Sequence, residues 1–133
     1  MEEDNRYFIK LYIESAKEAL EVAAYTVSGG YYGTSVNRSY YAFFYTASAL
    51  LLTKGLTRNK HIGVLATFQK NFVKEGLIEA KYGKLFRRIF ELRNEVDYDL
   101  VVRVSEEEAR LLLQQTKEFV ELIIEHLKRE GNL

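Results

Sequence analysis

The sequence contains no cysteine. That excludes a disulfide framework, thiolate catalysis and zinc or iron–sulfur sites built on cysteine, and it suits a reducing cytoplasm. Proline is absent as well, so the commonest helix breaker is missing and long uninterrupted helices are expected. No apolar run approaches the ~18 residues of a membrane span. The first residues, Met1, Glu2, Glu3 and Asp4, are acidic where a secretory leader is basic. The expectation is a cytoplasmic protein with no membrane partner. A further absence is local: between Val22 and Lys74 there is neither Asp nor Glu, while Arg38, Lys54, Arg58, Lys60, Lys70 and Lys74 fall within that stretch.

What is present points to one folded unit. A chain of 133 residues fits a single domain, since ordinary domains run to roughly 100 to 200 residues. At that size about two-thirds of the unfolded chain's surface can be buried without a metal or disulfide staple. Hydrophobic content of 47% with charged content of 29% is that of a globular chain. Nineteen basic and nineteen acidic residues cancel, but not evenly along the sequence. The acid-free stretch carries +6. Residues 1–21 hold six acids against three bases and residues 75–133 hold thirteen against ten, so each flank carries −3. The bases continue through Lys81, Lys84, Arg87, Arg88 and Arg93. A positive block of this kind attracts phosphate even on a neutral protein. A buried helix that excludes carboxylates would also explain the missing acids, though not the surplus bases.

Periodicity and punctuation divide the chain into five helical segments, with no repeat, low-complexity tract or linker. The first spans about residues 4–27, with Phe8, Leu11, Tyr12, Ser15, Ala19, Val22, Ala23 and Thr26 spaced by three and four on the expected buried face. Ser28, Gly29 and Gly30 stop it. The second spans about residues 34–54 and is apolar nearly all round, from Tyr40 through Leu52. Such a helix is central in its bundle or covers a partner. The third is expected over residues 61–74 on Val64, Leu65, Phe68, Phe72 and Val73, and the fourth over 79–98 on Tyr82, Leu85, Phe86, Ile89, Leu92 and Val96. Ser105 and Glu108 open the fifth as a capping box, in which each side chain meets the other's free N–H. Its core face is Ala109, Leu112, Leu113, Thr116, Phe119, Val120, Ile123 and Leu127. The β-branched run at 100–104 is too short and solitary for a sheet. The fold expected is an all-α antiparallel up-and-down bundle of four to five helices, filling residues 1–133 as one domain.

The residues with chemical potential gather at the end of the fourth segment and around the basic loop. Arg93 and Asp97, and Asn94 and Tyr98, are four apart and stack beside the apolar line through Ile89, Leu92 and Val96. This brings a guanidinium, an amide, a carboxylate and a phenol to the edge of the core. An ordinary Arg93 to Asp97 ion pair is the simpler reading, although a base preceding an acid is the poorer order on a helix. His61 opens the third segment after Arg58 and Lys60, where free N–H groups and the helix dipole favour an anion and disfavour an imidazolium. Asn37, Arg38, Ser39, Tyr40 and Tyr41 lie on the second segment. Two adjacent tyrosines point in different directions, so at least one hydroxyl must find a polar group at the edge of the core. His61 and His126 are far apart, which argues against a metal site.

Arg38-Ser39-Tyr40-Tyr41-Ala42-Phe43-Phe44, the basic loop ending in Lys60-His61-Ile62-Gly63-Val64, Phe72-Val73-Lys74-Glu75-Gly76, and Arg93-Asn94-Glu95-Val96-Asp97-Tyr98 occur in order at matching spacings. Together they resemble the HEPN domain, and more narrowly a prokaryotic subfamily with an Arg-Asn-x-x-Asp-Tyr end to its fourth helix. The resemblance covers nearly the whole chain. It implies a homodimer, often paired with a minimal nucleotidyltransferase in a toxin–antitoxin arrangement, and no cofactor. Many members of the family are metal-independent endoribonucleases with an Arg–polar–…–His motif. Arg93 and Asn94 match its first two positions, whereas Tyr98 stands where the histidine is expected. A phenol with an ordinary pKa near ~10 is a poor base at neutral pH. The functions expected are therefore a nucleotide- or RNA-phosphate-binding protein, an endoribonuclease using Arg93, Asn94 and Asp97 with His61 or Tyr98, or a structural dimer without ligand. In the binding function Arg93 would hold a phosphate by its planar fork, with Asn94 and Tyr98 completing the hydrogen bonds, and Arg58, Lys60, His61, Arg38, Tyr40 and Tyr41 would contact the nucleotide or its phosphates.

Overall fold

A computed structural model describes residues 3–58 and 60–133; Met1, Glu2 and the loop residue Asn59 lie outside the described residues. The chain forms α1 (Glu3–Ser28), α2 (Tyr32–Leu52), α3 (His61–Phe68), a single π-helical turn (Gln69–Val73), α4 (Ala80–Tyr98) and α5 (Glu106–Arg129). It is an all-α bundle, with no strand among the described residues. The 100–104 run is loop, with Leu100 and Val101 almost fully exposed.

Gly30, at φ 87°, ends α1 and lets α2 fold straight back along it. The two helices approach through small side chains: Ala16, Ala19 and Ala42 share one buried cluster, and the Ser35 hydroxyl donates to the Ala23 carbonyl at 2.9 Å. This close contact sets the rotation of α1. Its buried face is Ile9, Ile13, Ala16, Ala19, Ala23 and Val27, whereas Phe8, Leu11, Ser15 and Val22, expected inside, lie at the surface. Only where side chains are small can two helix backbones come this near, so alanine occupies the middle of the inner face, between Ile9 and Ile13 on one side and Val27 on the other.

α2 is the central element and packs against α1, α3, α4 and α5. Thirteen of its residues are buried, Val36, Tyr40, Phe43, Leu50 and Leu51 among them. Most of its apolar circumference is therefore met within one chain, with Tyr41, Phe44 and Tyr45 only partly buried. At the centre Phe43 stacks against Phe119 at 3.9 Å and against Phe86 at 4.6 Å, with Phe68 edge-on to all three.

The third helix is not α-helical to residue 74 as its periodicity suggests. From Gln69 it widens into the π turn, where the Lys74 N–H donates to the Gln69 carbonyl at 2.8 Å. The Gln69 side chain leans out of this turn and donates to the Gly83 carbonyl at 2.7 Å. A Cβ at position 83 would collide with the Gln69 side chain, so glycine there lets α4 come alongside. At the start of α5 only half of the expected capping box forms. The Ser105 hydroxyl accepts from the Glu108 N–H at 3.0 Å, but the Glu108 carboxylate takes Arg88 instead, at 3.1 and 3.2 Å.

Candidate anion-binding site

The end of α4, the first half of α2 and the first residue of α3 meet at one edge of the bundle. Arg93 leaves α4 beside the buried Ile89 and Leu92, and its side chain is only 15% exposed. A guanidinium so far from water needs partners in several directions. Its Nη2 donates to the Tyr41 hydroxyl and its Nη1 to Asn94 Oδ1, both at 3.2 Å. Its carbon lies 5.1 Å from the Tyr40 ring centre and 5.4 Å from that of Tyr41. Nε lies 3.0 Å from Asp97 Oδ2, so the ion pair forms. The Nε–H bond is nevertheless misaligned with that oxygen and has no hydrogen-bond acceptor.

Asp97 also accepts from Asn37 Nδ2 at 3.4 Å. Asn37 Oδ1 accepts from Arg38 Nε and Nη2 at 3.1 and 3.0 Å, and the Arg38 guanidinium carbon stands 4.7 Å from the Tyr41 ring centre. Two guanidinium groups thus approach one tyrosine ring, with Asp97 the carboxylate bonded to the network. An open cleft of about 470 Å³, lined by Tyr31, Gly33, Thr34, Asn37, Val96 and Asp97, adjoins this edge.

His61, partly buried, stacks on Phe44 at 4.3 Å, and its Nδ1 lies 2.8 Å from the Tyr40 hydroxyl. Burial, with a smaller contribution from the Arg93 charge, holds its pKa below the ordinary 6.5, so the ring is neutral near pH 7. Burial pushes the Tyr40 phenol well above its ordinary 10, which Arg93 opposes in part. Tyr40 therefore keeps its proton.

Arg38, Tyr40, Tyr41, His61, Arg93, Asn94 and Asp97, separated by up to 59 positions in sequence, come together here. Tyr40 is fully buried and cannot offer its ring to a base, so direct contact with a nucleotide is closed to it. Tyr98 is 81% exposed at the end of α4, not turned into the cluster. Arg58 and Lys60 lie exposed in the loop before α3; the Arg58 side chain donates to the Thr57 carbonyl, and neither residue hydrogen-bonds to the Arg93 cluster. Phe44 belongs to the site although it is not among the expected contacts, and Asn37, singled out on the second segment without an assigned role, joins the site through Asp97. A signal for them exists: with Tyr41 they fall at i, i+4 and i+7 on one face of α2. Among the described residues no three His, Asp or Glu side chains converge as a metal site would need.

The family model described as HEPN domain matches residues 9–127. A UPF0332 protein of Thermotoga maritima is 40% identical over 124 residues, covering 91% of this chain and 94% of its own. In Methanocaldococcus jannaschii, "Putative toxin MJ0605" is 39% identical over 128 residues, 96% of this chain and 95% of its own. "Putative toxin MJ0142" from the same organism is 35% identical over 103 residues, 77% and 70%.

Proposed function

This chain belongs to the HEPN family, and on that premise we propose that it is a toxin-like protein whose Arg93 cluster binds the phosphate of RNA or of a nucleotide. One observation carries the reading: the Arg93 and Arg38 guanidinium groups converge beside Tyr41, with Asp97 the one carboxylate among the described residues that is bonded to them or to Asn37. A phosphate would displace Asp97 from the Arg93 guanidinium, whose planar fork would hold it at two points. Asn94 and Tyr41 keep that plane in place. Arg58 and Lys60 give a following phosphate a second, looser contact. The family resemblance adds a homodimer and a minimal nucleotidyltransferase as partner to this proposal.

The test is a fluorescence titration with a short single-stranded oligoribonucleotide, in chelator, across a range of salt. Binding should survive the chelator and weaken as salt rises. Unchanged affinity in Arg38→Ala together with no salt dependence would sink the reading. A second reading, a metal-independent endoribonuclease, draws on His61, a neutral imidazole bonded to Tyr40 at the edge of the same cluster. RNA cleavage in chelator that disappears in His61→Ala would establish it. Tyr98→His, which places an imidazole at the family's motif position, should then raise the cleavage rate.

A further inference from the structure

The hydrogen bond between Tyr40 and His61 fixes more than a contact. Tyr40 has no exposed surface, and among the described residues its hydroxyl meets only His61 Nδ1, at 2.8 Å. A phenol has one proton to donate, and a neutral imidazole carries one N–H and one bare nitrogen. If Nδ1 carried the proton and donated to Tyr40, the phenol proton would be left without an acceptor inside the protein, which costs about 1–3 kcal/mol. If the phenol donates to a bare Nδ1, both groups are satisfied and the imidazole proton sits on Nε2. The neighbouring charge acts in the same direction. Arg93, with its carbon 5.1 Å from the Tyr40 ring centre, makes the phenol a stronger donor and disfavours an imidazolium.

We infer that Tyr40 is a positioning residue: its buried hydroxyl donates to His61 Nδ1 and commits the ring to the tautomer protonated on Nε2, so that His61 offers a neutral N–H donor to a phosphate rather than a lone pair to a proton. The phosphate part rests on the function proposed above, whereas the tautomer stands by itself. The stack on Phe44 holds the ring plane, and the Tyr40 bond decides its two faces of chemistry. His61 then serves as a second anion donor beside Arg93, and a mechanism with His61 as general base would need the opposite tautomer.

Two measurements separate the parts. In the first, nitrogen NMR of the unliganded chain, 15N-labelled at histidine and held above pH 7.5, reads the protonation of each His61 nitrogen. The expected result is a bare, hydrogen-bonded Nδ1 and a protonated Nε2. In Tyr40→Phe, shown folded by circular dichroism, Nδ1 should lose its hydrogen-bond signature and the two tautomers should mix. A protonated Nδ1 in the parent chain overturns the inference, as does a folded Tyr40→Phe with unchanged nitrogen signals. The parent spectrum alone decides the tautomer if the variant does not fold. In the second, inorganic phosphate and then a short oligoribonucleotide are added while the His61 Nε2–H signal is followed. A shift supports the donor role. An Nε2–H tautomer that responds to neither probe upholds Tyr40 as the positioning residue and overturns the anion-site reading.

Discussion

Arg93→Ala distinguishes a phosphate anchor from a brace at the end of α4. The change removes two hydrogen bonds, to Tyr41 and Asn94, the Asp97 ion contact and two ring-face contacts. The groups left behind are within reach of water, since the Asp97 side chain is 29% exposed. The loss should therefore fall below the ~3–5 kcal/mol of an interior pair and above the ~0–1 kcal/mol of a surface one, at about 2 kcal/mol. With an unfolding entropy of roughly 2.1 cal/mol/K per residue, that lowers the melting midpoint by about 7 °C. The effect on a bound phosphate should be larger in proportion. Losing a two-point charged contact worth about 3 kcal/mol raises Kd more than ~100-fold. A thermal melt and an oligoribonucleotide titration on the same preparation give both quantities, and Arg93→Lys, which keeps the charge but not the planar fork, should recover little of the affinity. A midpoint depressed well beyond that 7 °C with an unchanged Kd would refute the reasoning and make Arg93 a scaffold residue.

Three other outcomes are expected. Arg58→Glu with Lys60→Glu should weaken oligonucleotide binding and flatten its dependence on salt, each phosphate contact accounting for roughly one unit of the log–log slope, while the circular dichroism spectrum stays unchanged. Phe119→Ala removes the ring stacked on Phe43 at 3.9 Å and should cost about 3–5 kcal/mol in urea unfolding; a loss under ~1 kcal/mol would show that the centre is not packed as described. His61 titrates below 6.5 in the folded chain, so the unfolded chain binds more protons between the two values and stability rises with pH there. The stability due to neutral His61 is complete above about pH 6.5 and is lost as pH falls through the lowered value. His61→Gln should flatten that part of the urea-midpoint profile, and a profile identical to the parent's would count against it.

The sequence discloses the helices more readily than their rotation. Four- and three-residue spacing found the inner faces of α4 and α5 because large apolar side chains line them and charges line the rest. In α1 the same spacing places Ala19 and Ala23 inside correctly but also selects Phe8, Leu11 and Val22, while the buried stripe runs through Ile9, Ile13, Ala16 and Val27. Which of two adjacent stripes turns inward depends on how α2 approaches and cannot be seen from α1 alone. The π turn is hidden for a like reason: Gln69 and Gly83 are each unremarkable until they meet. Around the site, the Arg93 to Asp97 pair follows from spacing on one helix. One tyrosine of the adjacent pair was bound to need a polar partner, but that Tyr40 would turn to His61, 21 positions away, depends on how α3 sits against α2.

The central place of α2 also has a consequence in time. α1 and α2 are neighbours in sequence and can pair as soon as Leu52 has been synthesised, whereas Phe119, which covers one side of Phe43, belongs to the last helix. At roughly 5 to 20 residues per second, about 4 to 15 seconds of translation separate the end of α2 from the end of α5. Throughout that interval the nascent hairpin presents the bare Phe43 side of α2 to the cell. That face, invisible in the finished protein, is where an incomplete chain would be captured by a chaperone or would stick to another copy, and chains truncated before Glu106 should aggregate through it.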